Sequence, residues 1–233
     1  MFVYLREILC LIMLLICSYE DIKTREVDDR IWVFFIPIGI IITLIEYLFK
    51  YINFSYLILY FISILITIIV SIIIYYSKLV GGADSKALIS ISFLDPINLN
   101  KNTIHPFTPI IILTNSCIIS LIIPFMIFIY NSYRILNKEK IFEGFENEKI
   151  YRKIFAFFIG YKTKNIKRRF ATSIEKNING KKKFVFSLLE NEIEFIENKD
   201  TWVTPSLPLI VFILIGYIIN ILYGDILKIF IPI

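Results

Sequence analysis

Long apolar runs dominate this chain and restrict the folds that it can adopt. A transmembrane helix needs about 20 mostly apolar residues, and runs close to that length occur in six places along the 233 residues. These runs are residues 2–18, 31–49, 54–76, 79–94, 107–130 and 205–223. The mean hydropathy is +0.72 and only 19% of the residues are charged, whereas about a quarter are charged in a soluble domain. We therefore expect an all-α polytopic membrane protein with about six transmembrane helices.

One segment, residues 131–200, breaks the apolar pattern. It contains 16 Lys and Arg residues and 10 Asp and Glu residues, which indicates a small soluble insertion. Its second half has the alternation typical of strands, and Asn179-Gly180 is a strong signal for a hairpin turn. The predicted strands are residues 169–174, 183–188 and 192–195. The expected domains are a membrane domain of five helices at 1–130, an α+β insertion at 131–200, and a last membrane helix at 201–233.

The distribution of Lys and Arg predicts how the chain crosses the membrane, because cytoplasmic loops carry an excess of these residues. With six spans, the loops after the first, third and fifth helices lie on one side together with the basic insertion. The other basic residues of that side are Lys23, Arg25, Arg30 and Lys78. The opposite side has Arg6, Lys50, Lys101 and Lys228. We expect a multi-pass protein of the cell membrane whose insertion is cytoplasmic and whose two termini lie outside.

Two aspartates lie where an acidic side chain is costly. Asp21 ends the first apolar run, and Asp84 lies near the start of the fourth, within Gly-Gly-Ala-Asp-Ser-Lys at residues 81–86. A carboxylate costs about 2.5–3.5 kcal/mol at the centre of a membrane helix, so such residues are functional candidates. The predicted topology puts both at the cytoplasmic ends of their helices, where two carboxyl groups that share a proton act as acid and base. Each aspartate considered alone also has a purely structural explanation. Asp21 could end a helix in a solvated loop, and Asp84 could be the N-cap of a helix.

Both motifs resemble those of the type IV prepilin peptidases. Asp21-Ile22-Lys23-Thr24-Arg25-Glu26-Val27 is similar to the first aspartate motif of that family, and residues 81–86 are similar to its second, the G-x-G-D element. Ala83 stands where the second motif has glycine. The six runs, the insertion before the last run, and Trp202-Val203-Thr204-Pro205 after the insertion are most similar to the archaeal branch that processes preflagellins. The resemblance extends over essentially the whole chain.

The resemblance implies a function and a set of site residues. The implied function is that of a membrane aspartyl endopeptidase that removes short basic leader peptides from preflagellin or prepilin-like precursors. Asp21 and Asp84 are the implied catalytic dyad, in which one carboxylate takes a proton from water and the other group donates a hydrogen bond to the scissile carbonyl. The implied supporting residues are Gly81, Gly82, Ala83, Lys86 and Arg25.

For several residues around the dyad, the sequence permits more than one role. Gly81 and Gly82 permit unusual backbone angles and the close approach of another chain. Lys86 either tunes the dyad or reaches lipid phosphates, and Arg25 either orients the first loop or anchors it at the membrane. The acidic residues beside Asp21 either receive the basic leader or are simply solvated. These residues are Glu20, Glu26, Asp28 and Asp29.

The sequence gives little support to metal or nucleophile chemistry. Cys10, Cys17 and Cys117 are widely spaced in apolar runs, and His105 is the only histidine. A cysteine-bound metal, a zinc site and Ser-His catalysis therefore lack the residues that they need, and we expect no metal and no other cofactor. The basic parts of the insertion suit anionic membrane lipid better than nucleic acid, which we do not expect as a partner.

Two other functions stay open. A signal-peptide-peptidase or presenilin-like intramembrane protease uses the same pair of aspartates, although such proteases usually have more spans and a late proline motif that this chain does not match. A non-enzymatic cation or solute carrier would bind a cation with Asp21 and Asp84. Such carriers usually show internal repeats or broken helices in paired positions, and no such repeat is visible here.

Overall fold

Helices form most of the structure, and a small β-region interrupts them. The computed structural model describes residues 2–77, 81–98, 102–163, 171–178, 181–186 and 200–230. The helices are α1 (Val3–Thr24), α2 (Asp29–Leu48), α3 (Phe54–Tyr76), α4 (Gly82–Leu94), α5 (Thr108–Ser120), α6 (Ile122–Leu136), α7 (Ile150–Ile159) and α8 (Leu209–Leu222), followed by a short 3-10 helix at Ile226–Ile229. The strands are β1 (Tyr161–Thr163), β2 (Ala171–Ser173), β3 (Glu175–Ile178), β4 (Lys181–Phe184) and β5 (Thr201–Pro205).

The chain divides into two units. Met1–Ser120 and Pro208–Ile233 form the helical unit, and Leu121–Leu207 form the mixed unit. The helical unit contains α1 to α5 and α8, and the mixed unit contains α6, α7 and all five strands. The division predicted from the sequence, with boundaries at 131 and 201, stays a prediction.

Among the residues that the structure describes, three helical segments are long and apolar enough to cross a bilayer. They are Asp29–Leu48, Phe54–Tyr76 and Thr108–Leu136, the last of which includes α5 and α6. Helix α8 is apolar but shorter, with 14 residues, and α1 carries charged side chains near both of its ends. The protein is thus a mostly helical membrane protein with a small β-region, and the number of six spans stays a prediction.

Prolines account for the largest differences between the predicted runs and the helices. The run at 107–130 corresponds to two helices, because Pro124 has no N–H to donate to the Ser120 carbonyl, and α6 starts just before it. The last helix begins at Leu209 instead of residue 205, since Pro205 ends β5 and Pro208 is the N-cap of α8.

Helix α4 lies at the centre of the helical unit. It contacts α1, α2, α3, α5 and α8, and its residues Ile91 and Leu94 are fully buried in the main apolar cluster. Gly39 of α2 permits a close approach, because a Cβ atom there would overlap the Phe93 carbonyl oxygen of α4. The 13 residues of α4 extend over about 20 Å. The end that bears Asp84 is therefore positioned by the surrounding helices.

The mixed unit contains a three-stranded antiparallel sheet and a separate hairpin. The sheet has the order β1-β5-β2, and the hairpin pairs β3 with β4. Ile178 lies opposite Lys181, which leaves two residues for the turn. A hairpin at the predicted turn is therefore confirmed, with different strands from those predicted, and the turn residues Asn179-Gly180 themselves lie outside the described residues.

The strand pairing predicted for this unit needs correction. The sequence pattern pairs 169–174 with 183–188, but β2 pairs with β5, and β3 supplies the partner of β4. The reason is β5 itself, which the sequence assigns to the last helix but which forms the central strand of the sheet. Trp202 of β5 is fully buried, stacks on Phe142 with 5.2 Å between ring centroids, and donates through Nε1 to the Ile141 carbonyl at 3.1 Å. The strand predicted at 192–195 lies outside the described residues.

Candidate active site

Asp21 lies in the last turn of α1, at the edge of the main apolar cluster. The helix ends because Arg25 adopts a left-handed conformation with φ 61°, and its backbone N–H donates to the Asp21 carbonyl oxygen at 3.1 Å. The Asp21 side chain is half-buried, and no described residue offers a hydrogen bond to its buried Oδ2 atom. Burial raises the pKa of Asp21, while the Arg25 guanidinium and the Ile210 backbone N–H oppose that rise.

The start of α8 belongs to the surroundings of Asp21. Ile210 is the second residue of α8, so its N–H is one of the helix donors that have no intrahelical acceptor. This N–H acts on the Asp21 carboxylate, as expected for an anion at the positive end of a helix dipole. The Ser18 hydroxyl donates to the Ile210 carbonyl at 3.5 Å and ties α1 to the same turn. Sequence reasoning misses Ile210, because an apolar residue that acts through its backbone gives no signal in its side chain.

Asp84 is the third residue of α4, and only 9% of its surface is exposed. Its Oδ2 atom accepts a hydrogen bond from the Gly81 backbone N–H at 3.0 Å, which is the return contact of a capping box. The N-cap residue is Gly81, so the assignment of Asp84 as an N-cap is wrong. A carboxylate in the first turn of a helix is nonetheless favourable there.

The glycines before Asp84 provide space rather than unusual backbone angles. Gly81 has φ −70° and ψ 161°, an extended conformation open to any residue, so the expectation of special angles is wrong at this position. A Cβ atom on Gly81 would lie 3.0 Å from Oδ2 of Asp84, whereas one on Gly82 would lie 3.5 Å from a ring carbon of Tyr75. Ala83 packs against the edge of the main apolar cluster. Gly81 is thus the glycine that leaves room for the carboxylate.

Asp21 and Asp84 lie on two helices that contact each other in the helical unit. The charge of Asp21 acts on the Asp84 carboxyl group. Cys17 of α1 and Ala87 of α4, one turn away from the two aspartates, belong to the same buried cluster. The negative charge of Asp21 therefore disfavours ionisation of Asp84.

The loop between α1 and α2 is fastened on both sides. Glu20 Oε2 accepts from the Asp28 backbone N–H at 2.9 Å, and Asp28 caps α2 by accepting from the Arg30 N–H at 2.9 Å. Across the loop, Lys86 Nζ of α4 pairs with Asp29 Oδ1 at 2.6 Å. These contacts tie the loop that follows Asp21 to the helix that bears Asp84.

The four acidic residues considered for leader binding differ in their surroundings. Glu20 is half-buried, whereas Glu26, Asp28 and Asp29 are exposed. Glu20 directly precedes Asp21, and the other three lie in the eight residues that follow it. Their role in leader binding stays a prediction. Within the described part of the chain, no group of three or more His, Cys, Asp or Glu side chains is arranged to hold a metal ion.

A second buried polar group lies at the opposite end of the helical unit. Arg6 of α1 is 3% exposed and forms an ion pair with Glu46 of α2 at 2.7 Å. The same guanidinium donates to Thr43 Oγ1 at 2.8 Å and to the Leu94 carbonyl of α4 at 2.7 Å. Arg6 is therefore an internal residue and not the outer membrane anchor that the Lys and Arg distribution assumes. The pair is hard to predict because its members are 40 residues apart.

Comparison with protein families shows which family this chain belongs to. The model of the type IV leader peptidase family matches residues 8–125, which include both Asp21 and Asp84. The chain belongs to the type IV leader peptidase family. A second model, archaeal peptidase A24 C-terminus type II, matches residues 146–226 of this leader peptidase family member.

Three preflagellin peptidases are similar to this leader peptidase family member over nearly their whole length. The protein of Methanococcus maripaludis is 28% identical over 231 residues, which cover 91% of this chain and 92% of the relative. That of Methanocaldococcus jannaschii is 27% identical over 231 residues, 91% of each chain. That of Methanococcus voltae is 29% identical over 241 residues, 94% of this chain and 95% of the relative.

Proposed function

We propose that this protein is a membrane aspartic endopeptidase of the G-x-G-D type, which removes the basic leader from preflagellin or prepilin-like precursors. The observation that carries the proposal is that Asp21 and Asp84 lie on two contacting helices, within the segment that matches the leader peptidase family, and that the charge of Asp21 acts on Asp84. The similarity to preflagellin peptidases supports the substrate class. The supporting residues in this proposal are Gly81, Gly82, Ala83, Lys86 and Arg25.

Water is the nucleophile in the proposed reaction. Arg25 and the Ile210 N–H favour the ionised form of Asp21, so the proton shared by the pair resides mainly on Asp84. Asp21 then takes a proton from the water as it attacks the scissile carbonyl, and Asp84 donates its hydrogen bond to the carbonyl oxygen. When the C–N bond breaks, Asp21 returns its proton to the leaving amine, which restores the pair.

In this proposal the dyad and the insertion at 131–200 both lie on the cytoplasmic side of the membrane. The charge argument becomes stronger when Arg6 is left out as a buried ion-pair member, since Lys50, Lys101 and Lys228 then remain on the outer side. Six spans place both termini outside, and membrane lipid surrounds the spans. A precursor whose basic leader is still in the cytoplasm would meet the dyad there.

The acidic segment beside the dyad is proposed to receive the basic leader. Glu20, Glu26, Asp28 and Asp29 lie within nine residues of Asp21, and three of them are exposed. Opposite charge at the mouth of a site attracts a ligand and orients its approach. The presenilin-like protease and the cation carrier are not favoured as alternatives, since the matched family and relatives are leader and preflagellin peptidases.

The direct test is the cleavage of a co-expressed preflagellin by the wild type and by the Asp21→Asn and Asp84→Asn variants. Each substitution should lower cleavage by at least about a thousandfold, because the two groups act as one catalytic unit. Glu143→Gln is the control, since Glu143 is exposed in the mixed unit and has no part in the proposed site. Equal membrane levels of all variants exclude an insertion defect, and near-wild-type cleavage by either aspartate variant would disprove the dyad.

A further inference from the structure

Helix α7 presents an apolar face that stays substantially exposed, although Phe155 meets Phe186 edge-on and Phe158 stacks on a ring of α6. The five residues of this face are separated in sequence by intervals of one, three, one and three, which put them along one side of a helix. These residues are 42–76% exposed: Ile150, Tyr151, Ile154, Phe155 and Phe158. A contiguous surface of this kind marks an interaction site with protein or membrane.

The C-terminal end of α7, which includes Phe158 of this face, packs on α6. Phe158 stacks on Phe128 of α6 with 5.0 Å between ring centroids, and Phe157 meets the same ring edge-on at 5.6 Å. Asn131 of α6 donates through Nδ2 to the Phe157 carbonyl at 2.9 Å and to the Gly160 carbonyl at 2.7 Å. The C-terminal end of α7 is therefore firmly attached to α6.

Helix α6 is itself part of a membrane-spanning candidate. It forms the second half of Thr108–Leu136, which is long and apolar enough to cross a bilayer. Its own exposed side is apolar and includes Phe125, Met126, Ile129 and Tyr133. A helix that packs on such a segment lies at the depth of the membrane or of its surface, so α7 cannot be far from lipid.

The charges of α7 lie at the end of the apolar face. Lys149 precedes the helix and Lys153 follows one turn later, and no described carboxylate lies within ion-pair distance of either. Lys149 Nζ lies 5.9 Å from the ring centre of the exposed Tyr151. Arg152 is engaged by Glu148 at 3.7 Å. Two available cations beside an apolar stripe match a bilayer surface with anionic headgroups.

We propose that α7 is an interfacial helix, whose apolar face enters the acyl region of the bilayer while Lys149 and Lys153 bind anionic headgroup phosphates. The proposal concerns the mixed unit and does not depend on the protease function. A second copy of the chain or a partner protein on this face is the competing occupant. Lipid is favoured because α6, to which α7 is attached, already requires an apolar surrounding.

The position of α7 is tested with the full-length protein, one copy per nanodisc. Exposed Cys117 is replaced by serine, and a single cysteine is placed at Ile154 on the apolar face or at exposed Asn147 before the helix. Each is labelled with an environment-sensitive fluorophore. The label at 154 should be quenched by nitroxide-bearing lipid and protected from aqueous iodide, and the label at 147 should show the reverse. Equal iodide access at both positions would overturn the proposal, as would a label at 154 that neither quencher reaches.

The role of the cations is tested in nanodiscs of phosphatidylcholine alone and of phosphatidylcholine with an equal part of phosphatidylglycerol. Lipid quenching at position 154 should increase with phosphatidylglycerol in the wild-type background and should not respond in the Lys149→Glu/Lys153→Glu background. Near-ultraviolet circular dichroism, which reports buried Trp202 and its aromatic neighbours, verifies that the mixed unit is folded. An equal response of both backgrounds would overturn the headgroup contact.

Discussion

At the scale of single residues, the two aspartates differ in the groups around them. Asp21 lies beside the Arg25 cation and the N-terminal end of α8, whereas Asp84 receives one backbone hydrogen bond, from Gly81. Asp84 is also the more buried of the two. Because their surroundings differ, the two aspartates are expected to play different roles in the pair. The contribution of each surrounding group can be tested by a single substitution.

Replacing Arg25 with methionine should move the acid limb of the cleavage pH profile to higher pH. The Arg25 charge opposes the effect of burial on the pKa of Asp21, so that pKa rises further when the charge is removed. Asp21 is then protonated, and unable to act as a base, at a pH where the wild type is still ionised. Leader cleavage measured across acidic and neutral pH reports the shift. Lys23→Met is the matched control, because Lys23 is exposed and lies over Tyr19; an equal shift there would contradict the assignment.

Adding a methyl group at Gly81 should impair catalysis more than adding one at Gly82. The new Cβ at Gly81 would lie 3.0 Å from Oδ2 of Asp84, so the carboxylate must move and its bond to the Gly81 N–H weakens. A hydrogen bond is worth about 0.5–1.5 kcal/mol, which corresponds to a loss of up to roughly tenfold in rate. The Gly82→Ala variant meets only ordinary contact with Tyr75 and should stay near wild type. Single-turnover cleavage rates compare the two, and the opposite order would refute the role given to Gly81.

At the scale of secondary structure, apolar length predicts helices well and strand partners poorly. The run at 54–76 coincides with α3, because nothing within it interrupts the helix. The hairpin of β3 and β4 is predicted from its own turn, which is a local signal. The pairing of β2 with β5 depends on residues about 30 positions apart and on the burial of Trp202, and neither is visible in a short stretch of sequence.

The contact of α1 with α2 should depend strongly on the Arg6–Glu46 pair. Breaking a buried ion pair leaves one charge without its partner and costs about 3–5 kcal/mol. We therefore expect Arg6→Met and Glu46→Gln each to lower the free energy of unfolding by that order in mixed micelles. Glu46 is the only described carboxylate paired with Arg6, so the double variant should be more stable than the sum of the two single effects implies.

The control for this prediction is an ion pair on the surface of the same unit. Arg30 and Asp28 are 3.9 Å apart and largely exposed, so Arg30→Met should change the free energy of unfolding by no more than about 1 kcal/mol. Asp28 is kept, since it caps α2. If Arg6→Met were no more harmful than Arg30→Met, the buried pair would not hold the helices together.

At the scale of the whole molecule, the class of protein and the dyad candidates are predictable, while the surroundings of the dyad are not. Counting apolar runs correctly puts Asp21 and Asp84 near helix ends and predicts that they share one side of the membrane, and the two short motifs mark the same residues. The contact of Asp21 with the start of α8 joins residues 189 positions apart and runs through a backbone group. The burial of Arg6 likewise depends on α2 and α4. Both need the three-dimensional packing of the helices.

The last prediction is that the dyad and the insertion at 131–200 face the cytoplasm. Most Lys and Arg residues lie in the insertion and in the loops at the dyad end, and this excess favours the cytoplasmic side. In a Cys117→Ser background, single cysteines are placed at Lys23 near the dyad, at Lys183 in β4, and at Lys50 beyond the far end of α2; all three positions are exposed. A membrane-impermeant thiol reagent should label position 50 in intact cells, and positions 23 and 183 only after the cytoplasmic side is opened. Labelling of position 23 from outside would place the dyad on the wrong side for a leader that is still in the cytoplasm, and the proposed order of cleavage before export would fail even if both aspartates were essential.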